Sequence, residues 1–325
     1  MNEIPPILSI RDLTVNYGAY CALDKLSVDI DSGDIIGIVG PNGAGKTSFI
    51  KALCGRTDVS HGTLLIDSKP IRSSQNRQRL IGLVPQDIAL YSHMTARENL
   101  NAFAKIMGMR GRKNRRKSVA AALASVEMDH KSDALISALS GGMKRRINVA
   151  AAIMHSPAVL ILDEPTAGVD TPARDTVHRL ARKLADDGMA VLLVTHELEQ
   201  AEALCDKLLV LAGGKTLAFD NPADLLFRVY GDAREIMVRL SKPPKKDTLK
   251  AMAPFGFTQA ELPTIWTAIT DKSEDKVVST FMTSLRGTDT KLREISVRRP
   301  GLNHLMHTIE KNGTLPAPLK TSANA

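Results

Sequence analysis

Gly40-Pro41-Asn42-Gly43-Ala44-Gly45-Lys46-Thr47 is the stretch on which the reading of this chain turns. It fits G-x-x-x-x-G-K-[ST], a loop whose glycines let backbone N–H groups turn inward around phosphate oxygens. The flanks suit that chemistry. Ile35-Ile36-Gly37-Ile38-Val39 is an apolar run of strand length. Thr47 to Cys54 pairs Phe49 with Leu53 and Ile50 with Cys54 at i,i+4, which predicts a helix. A helix that opens at the end of the loop turns its positive dipole end toward phosphate. In that setting Lys46 reaches the β- and γ-phosphates and the Thr47 hydroxyl serves Mg²⁺. Gly40 through Ser48 are therefore the candidate nucleotide-binding set, with ATP and Mg²⁺ as the expected ligands.

The 325 residues suffice for one large domain and a smaller one. Hydrophobic residues make up 43%, enough for a sizeable core, and aromatics only 4%, which argues against base-stacking platforms for nucleic acid. Cys21, Cys54 and Cys205 are far apart with no C-x-x-C, as suits a reducing compartment and no structural metal. No run reaches the roughly 18–20 apolar residues that span a bilayer. Met1-Asn2-Glu3-Ile4-Pro5-Pro6 lacks a basic and an apolar signal region, so a cytoplasmic chain is expected. The net charge is +8, and six cations crowd into Arg110–Lys117. That cluster reads as a solvated helix start, as a contact for anionic lipid headgroups, or as a nucleic-acid contact.

Strands are expected at 7–15, 23–30, 62–67, 80–84, 159–163 and 190–195. The pattern turns helical from Thr95 to about Ala138. Thr171-Pro172 predicts a helix start with Thr as N-cap and Pro at N1. Gly213-Gly214 between two apolar runs predicts a hairpin. Strands alternating with helices give an α/β fold with a mainly parallel sheet, joined to an N-terminal antiparallel β subdomain and a helical lobe at about 95–155. After about 230 the composition changes. A small α+β domain is expected at 234–312, with Trp266 in its core, and a disordered tail at 313–325.

Ala158-Val159-Leu160-Ile161-Leu162-Asp163-Glu164-Pro165-Thr166 ends an apolar strand in two carboxylates. In a parallel sheet the phosphate loop opens at that same edge. Asp163 suits Mg²⁺ through its water shell, and Glu164 suits polarising an attacking water.

Leu139-Ser140-Gly141-Gly142-Met143-Lys144-Arg145-Arg146 resembles the signature sequence of ABC-transporter ATPases. Other marks of that family follow in order. Tyr17 matches the aromatic that stacks on adenine, with Tyr20 as the nearby competitor. Gln86, in Leu83-Val84-Pro85-Gln86-Asp87, matches the glutamine that joins Mg²⁺ to the membrane partner. Ala167-Gly168-Val169-Asp170 matches the loop that crosses to the second ATPase copy, and His196 the histidine that senses the γ-phosphate. Met143 stands where the commonest signature has Gln, which resembles the branch serving drug, lipid, polyketide, nodulation-factor and polysaccharide exporters. Val297 to Met306 resembles the ending of ABC-2-type export ATPases, although Asn303, His304 and Met306 replace its usual acidic and Phe residues.

The resemblance implies an ATPase subunit that powers export through a separately encoded permease. It implies a head-to-tail homodimer in which Ser140, Gly141 and Gly142 of one copy cap the nucleotide of the other. It also implies a peripheral place at the cytoplasmic face of the inner membrane. Leu90, Tyr91 and Met94, just past Gln86, read as exposed anchors for the permease. Two rivals remain open at this level: a soluble ABC ATPase acting on nucleic acid or ribosomes, and a regulatory ABC ATPase without transport.

Overall fold

The computed structural model describes residues 5–71, 73–260 and 262–318. Residues 1–4 of the signal-peptide reading and residues 319–325 of the expected tail lie outside them. The chain divides into two compact units at Pro222/Ala223. The composition change pointed to about 230; the division falls instead at the start of the helix Pro222–Tyr230.

The first unit begins with β1 (Leu8–Tyr17) and β2 (Tyr20–Ile30), then β3 (Ile35–Val39) and α1 (Lys46–Leu53). The first hairpin is longer than expected, because the strands run up to Tyr17 and Tyr20, which pair across Gly18-Ala19. Next come β4 (His61–Ile66), β5 (Lys69–Pro70), α2 (Ser74–Leu80) and β6 (Ile81–Val84). The lobe follows as α3 (Ala96–Ile106), α4 (Arg112–Ser125) and α5 (Gly141–Ile153). The unit ends with β7 (Val159–Asp163), α6 (Thr171–Asp186), β8 (Ala190–Val194), α7 (Leu198–Leu204), β9 (Lys207–Ala212) and β10 (Lys215–Asp220).

One sheet has the order β2-β1-β4-β5 and is antiparallel; the other runs β10-β9-β3-β8-β7-β6. In the second, only the β9–β10 hairpin is antiparallel. The parallel strands are apolar on both faces, as a sheet covered on both sides requires. Ile38 pairs with Val194, Asp163 with Val194, and Val84 with Leu162. Four strands therefore run out together, and Gly40, Glu164, Thr195 and Pro85 come to one sheet edge. Phe49 and Leu53 of α1, both fully buried, hold the phosphate-loop helix on the core shared by the two sheets. Each such side chain contributes about 1.5–3 kcal/mol.

Side chains cap the starts of α2, α3, α5 and α6. Thr95 and Glu98 form both halves of a capping box on α3. Ser140 Oγ accepts the Met143 amide at the start of α5. At α6 the structure corrects the expected cap. Asp170, not Thr171, is the N-cap, and its carboxylate accepts the Ala173 amide at 3.0 Å. A carboxylate satisfies the free amide and also complements the helix dipole, which a hydroxyl does not. The basic cluster opens α4, whose first turn has no acidic residue. Arg115 donates to the Met109 carbonyl at 3.1 Å.

The second unit contains α8 (Pro222–Tyr230), β11 (Arg234–Leu240), α9 (Lys246–Met252), β12 (Thr258–Gln259) and β13 (Ile265–Thr270). It closes with α10 (Glu274–Ser284), β14 (Leu292–Arg298) and α11 (Leu302–Asn312). Its sheet is antiparallel, in the order β12-β13-β11-β14. Ile236, Val238 and Leu240 alternate onto one face and meet Met252, Phe257, Val277 and Phe281. Trp266 packs half-buried at the margin of this core. Sequence reasoning missed α10. Its β-branched Val277, Val278, Thr280 and Thr283 disfavour helix locally, but Val277, Phe281 and Leu285 fall at i,i+4,i+8 and bury one stripe.

Glu235 is only 3% exposed and is held by Arg298 Nε at 2.9 Å and His304 Nδ1 at 3.3 Å. Burial pushes its carboxyl up, but the two hydrogen bonds and the neighbouring cation prevail and hold it below the usual range. A depressed folded-state value means stability that is present above the ordinary Glu range and lost as pH falls through the folded value. Glu235→Gln should therefore destabilise this unit by roughly 1–3 kcal/mol near neutrality. The gap from the native chain should narrow below about pH 4. Fluorescence of Trp266, the chain's single tryptophan, follows this unfolding in the full chain. A gap that stays constant with pH would remove the charged network from the account.

Candidate functional site: the nucleotide centre

The phosphate loop runs from the end of β3 into α1. Gly40 has φ 155° and Gly45 φ 106°. A Cβ at Gly40 would stand 2.2 Å from the Leu211 carbonyl oxygen, and one at Gly45 would stand 2.7 Å from that of Ala22. Both the backbone angle and the close neighbours thus demand glycine. Lys46 is buried, and its Nζ donates to the carbonyls of Gly40 at 2.5 Å and Pro41 at 3.0 Å. An ammonium has three protons, so one remains for a phosphate oxygen.

Across the same edge lies Glu164. Gln86 Nε2 donates to its Oε2 at 3.0 Å, and His196 Nε2 meets its Oε1 at 2.8 Å. Its own amide donates to the Val194 carbonyl at 2.9 Å. The carboxylate is thus gripped from both sides by residues that follow β6 and β8. Glu164 sits at φ 46°, a left-handed angle that turns its side chain out of the strand direction. Next to it, Asp163 has a raised pKa, because burial and then the charge of Glu164 disfavour its ionised form. Burial lowers the pKa of Lys46, while Glu164 opposes that change. Two crowded carboxylates beside a desolvated ammonium are a centre that a bound cation and phosphates would balance.

For a divalent cation the donors present are the Asp163 carboxylate and the Thr47 hydroxyl, with the Gln86 amide in the same cluster. Among the described residues no group of three or more His, Cys, Asp or Glu side chains forms a metal cage. A hard, oxygen-only set completed by water and substrate phosphates fits Mg²⁺.

Tyr17 is 43% exposed, and its hydroxyl is in hydrogen-bond reach of Thr57 and Ser48, which lower its pKa. That places the ring beside α1. Tyr20, 60% exposed, faces it across the hairpin.

Ser140, Gly141, Gly142 and Asp170 form a separate grouping. A Cβ at Gly142 would stand 2.7 Å from Ala173 Cβ, and Ala173 is the residue whose amide Asp170 caps. The signature turn and the helix start that follows the 167–170 loop therefore share one contact.

Three further residues escaped sequence reasoning. Arg145, 3% exposed, donates through Nη1 to the carbonyls of Pro85 at 2.9 Å and Gln86 at 2.7 Å. Asn148 Nδ2 reaches the Asp87 carbonyl at 3.3 Å. Asn99, fully buried, accepts the Tyr91 amide at 2.8 Å and donates to the carbonyls of Tyr91 and Thr95. The available signal was a polar residue on the apolar stripe of a helix, which buries only with partners. Beside the Gln86 loop lies a groove of about 360 Å³, lined by Leu83, Pro85, Ala89, Phe103, Met107 and others. Tyr91 stacks on Phe103 at its rim and is 47% exposed, and Ile88 and Ile106 are also exposed. Leu90 and Met94 are half-buried, contrary to the expectation that they stand free.

The fold and this edge define a phosphate-loop ATPase. The ABC transporter family profile matches residues 23–167. Nod factor export ATP-binding protein I of Ralstonia nicotianae is 38% identical over 236 residues, spanning 70% of this chain and 73% of that protein. The linearmycin resistance ATP-binding protein LnrL of Bacillus subtilis is 34% identical over 227 residues, spanning 70% and 73%. Among solved structures, cbiO1 of Clostridium perfringens, part of the ABC transporter complex cbiONQ, superposes with TM-score 0.63 at 29% identity, over 68% of this chain and 91% of that one. A nucleotide-free ATP-binding cassette at 24% identity and TM-score 0.59, over 66% and 90%, supports the fold alone. The chain belongs to the ATP-binding subunits of ABC transporters, a family that hydrolyses ATP to drive transport.

Proposed function

We propose that this subunit powers export through a separate membrane permease, with Glu164 as the residue that activates water. The observation that carries the reading is the clasp of Glu164 between Gln86 and His196, on the edge where Lys46 and Asp163 also lie. Export is in keeping with the relatives, one a Nod factor export ATP-binding protein and one a linearmycin resistance ATP-binding protein.

The roles follow from the chemistry of the groups. The loop amides and Lys46 hold the phosphates. Thr47 and Asp163 would hold Mg²⁺, which would neutralise developing phosphate charge. Glu164 orients the attacking water, and His196 and Gln86 keep its carboxylate aimed. Tyr17 offers a π-face to adenine. The capping residues Ser140, Gly141 and Gly142 belong to the second copy of a head-to-tail dimer, and Asp170 lies on the loop between the copies. Asp170 spends one carboxylate oxygen on its own helix and retains the other.

Two outcomes test the chemistry. Glu164→Gln keeps shape but removes the charge that polarises water, so ATP should bind while hydrolysis falls by about 10²–10⁴-fold. Lys46→Ala should instead weaken binding, read by fluorescent nucleotide titration. Near-normal turnover by Glu164→Gln would remove it from the role.

Sharing between copies has its own test. Ser140→Arg puts a bulky cation where the partner's phosphate would dock. Mixed with Lys46→Ala protein, it should yield dimers in which both lesions fall on one nucleotide and the other site is intact. Activity regained on mixing supports head-to-tail sharing. No recovery in verified heterodimers contradicts it.

No helix among the described residues is long and apolar enough to cross a membrane. Work on a membrane then requires docking, at the cytoplasmic face of the inner membrane. The groove beside the Gln86 loop, with exposed Tyr91 held through its backbone by Asn99, suits a short apolar helix of the permease. Tyr91→Asp should release the subunit from permease-containing membranes and leave basal ATPase largely intact. If binding survives Tyr91→Asp but is lost in moderate salt, charge attraction from the 110–117 cluster carries the attachment instead.

A further inference from the structure

The buried guanidinium of Arg145 is not needed by any step above, yet it is placed between two of them. It sits in the second turn of α5, whose N-cap is Ser140. Its Nη1 bridges the carbonyls of Pro85 and Gln86, and Asn148, one turn later on the same helix, holds the next carbonyl, that of Asp87. Three successive carbonyls of the Gln86 loop thus hang on one face of α5. The Gln86 side chain reaches back to Glu164 at 3.0 Å. A continuous path of hydrogen bonds and one rigid helix therefore joins the signature turn to the carboxylate.

The chemistry of the residue suits this task. A guanidinium is planar and its Nη1 carries two N–H bonds at fixed angles, so it fixes the loop's orientation as well as its distance. Its Nε is buried without a hydrogen-bond partner among the described residues. Burying a guanidinium carries a desolvation cost, and its orphaned donor adds to it, so stability alone does not account for the residue. Its worth lies in what it positions.

We propose that Arg145 is a positioning residue that makes the approach of Gln86 to Glu164 depend on whether the signature turn of the same copy is engaged. The proposal rests on the head-to-tail reading, in which the other copy's nucleotide engages Ser140–Gly142. When α5 shifts to meet that nucleotide, the 85–87 carbonyls move with it. The Gln86 amide then moves relative to Glu164 in the copy's own site. Each site would thereby feel the occupancy of the other.

The test uses full-length Arg145→Met, which removes both donated bonds, and Arg145→Lys, which keeps the charge on a flexible stem without the guanidinium's fixed plane. ATP affinity should stay close to native, and thermal stability should fall only modestly, since two carbonyls lose their donor. The maximal rate should fall about 10–100-fold, as expected for a misplaced catalytic neighbour. The Hill coefficient for ATP should fall toward one. In a Gln86→Ala background, Arg145→Met should cost nothing further, because it acts through that side chain. Should Arg145→Met not fold, Asn148→Leu replaces it, with a smaller loss in the same direction and the same dependence on Gln86. Additive losses in the Gln86→Ala background, or unchanged cooperativity, would overturn the relay. The mixed Ser140→Arg and Lys46→Ala experiment separates the two levels. Recovery there with no effect at Arg145 removes the relay alone, and no recovery removes the shared site and the relay with it.

Discussion

A buried parallel strand that ends in two neighbouring carboxylates is the constraint on which the rest of this site depends. β7 is apolar until Asp163, and the chain then turns at Glu164 with a left-handed angle. For a residue with a Cβ that turn costs roughly 1–2 kcal/mol. The cost is offset locally: the Glu164 amide pairs with Val194, and both carboxylate oxygens have partners. The strain therefore places the side chain at the sheet edge, where the phosphate loop, Gln86 and His196 also emerge. Parallel register supplies that coincidence, because strands that run the same way finish on the same side.

Most of this edge was legible in the chain. Gly40 to Thr47 carries its own geometry, and the two glycines with positive φ and crowded neighbours stand where the motif demands them. β3, β7 and β8 were readable because strands covered on both faces are short unbroken apolar runs. The clasp itself was not legible. Gln86 and His196 were singled out one by one, but nothing in their spacing said that both would bond to the same carboxylate. Such pairing depends on sheet order, and β6 meets β7 although long stretches of chain separate them.

The misses share physical causes. Thr171 looked like the cap because Ser/Thr before Pro is a common helix start, yet Asp170 offers the stronger acceptor one residue earlier. α10 was hidden by β-branched residues whose local preference the core overrides. Arg145 reads as one more cation in Lys144-Arg145-Arg146, and only tertiary packing separates it from its half-buried neighbours. Leu90, Tyr91 and Met94 read alike as apolar anchors past Gln86, whereas Tyr91 alone of the three projects.

On the proposed roles, one copy supplies the phosphate cradle and the water-activating carboxylate, and the other supplies Ser140, Gly141 and Gly142. Hydrogen exchange on Glu164→Gln protein with Mg²⁺-ATP tests that division most directly, read at 40–48 and at 139–143 over a range of protein concentrations. The account predicts that ATP protects 40–48 at every concentration and protects 139–143 only when the protein is concentrated enough to dimerise. Protection of 139–143 that is absent throughout, or that follows 40–48 regardless of concentration, would contradict it.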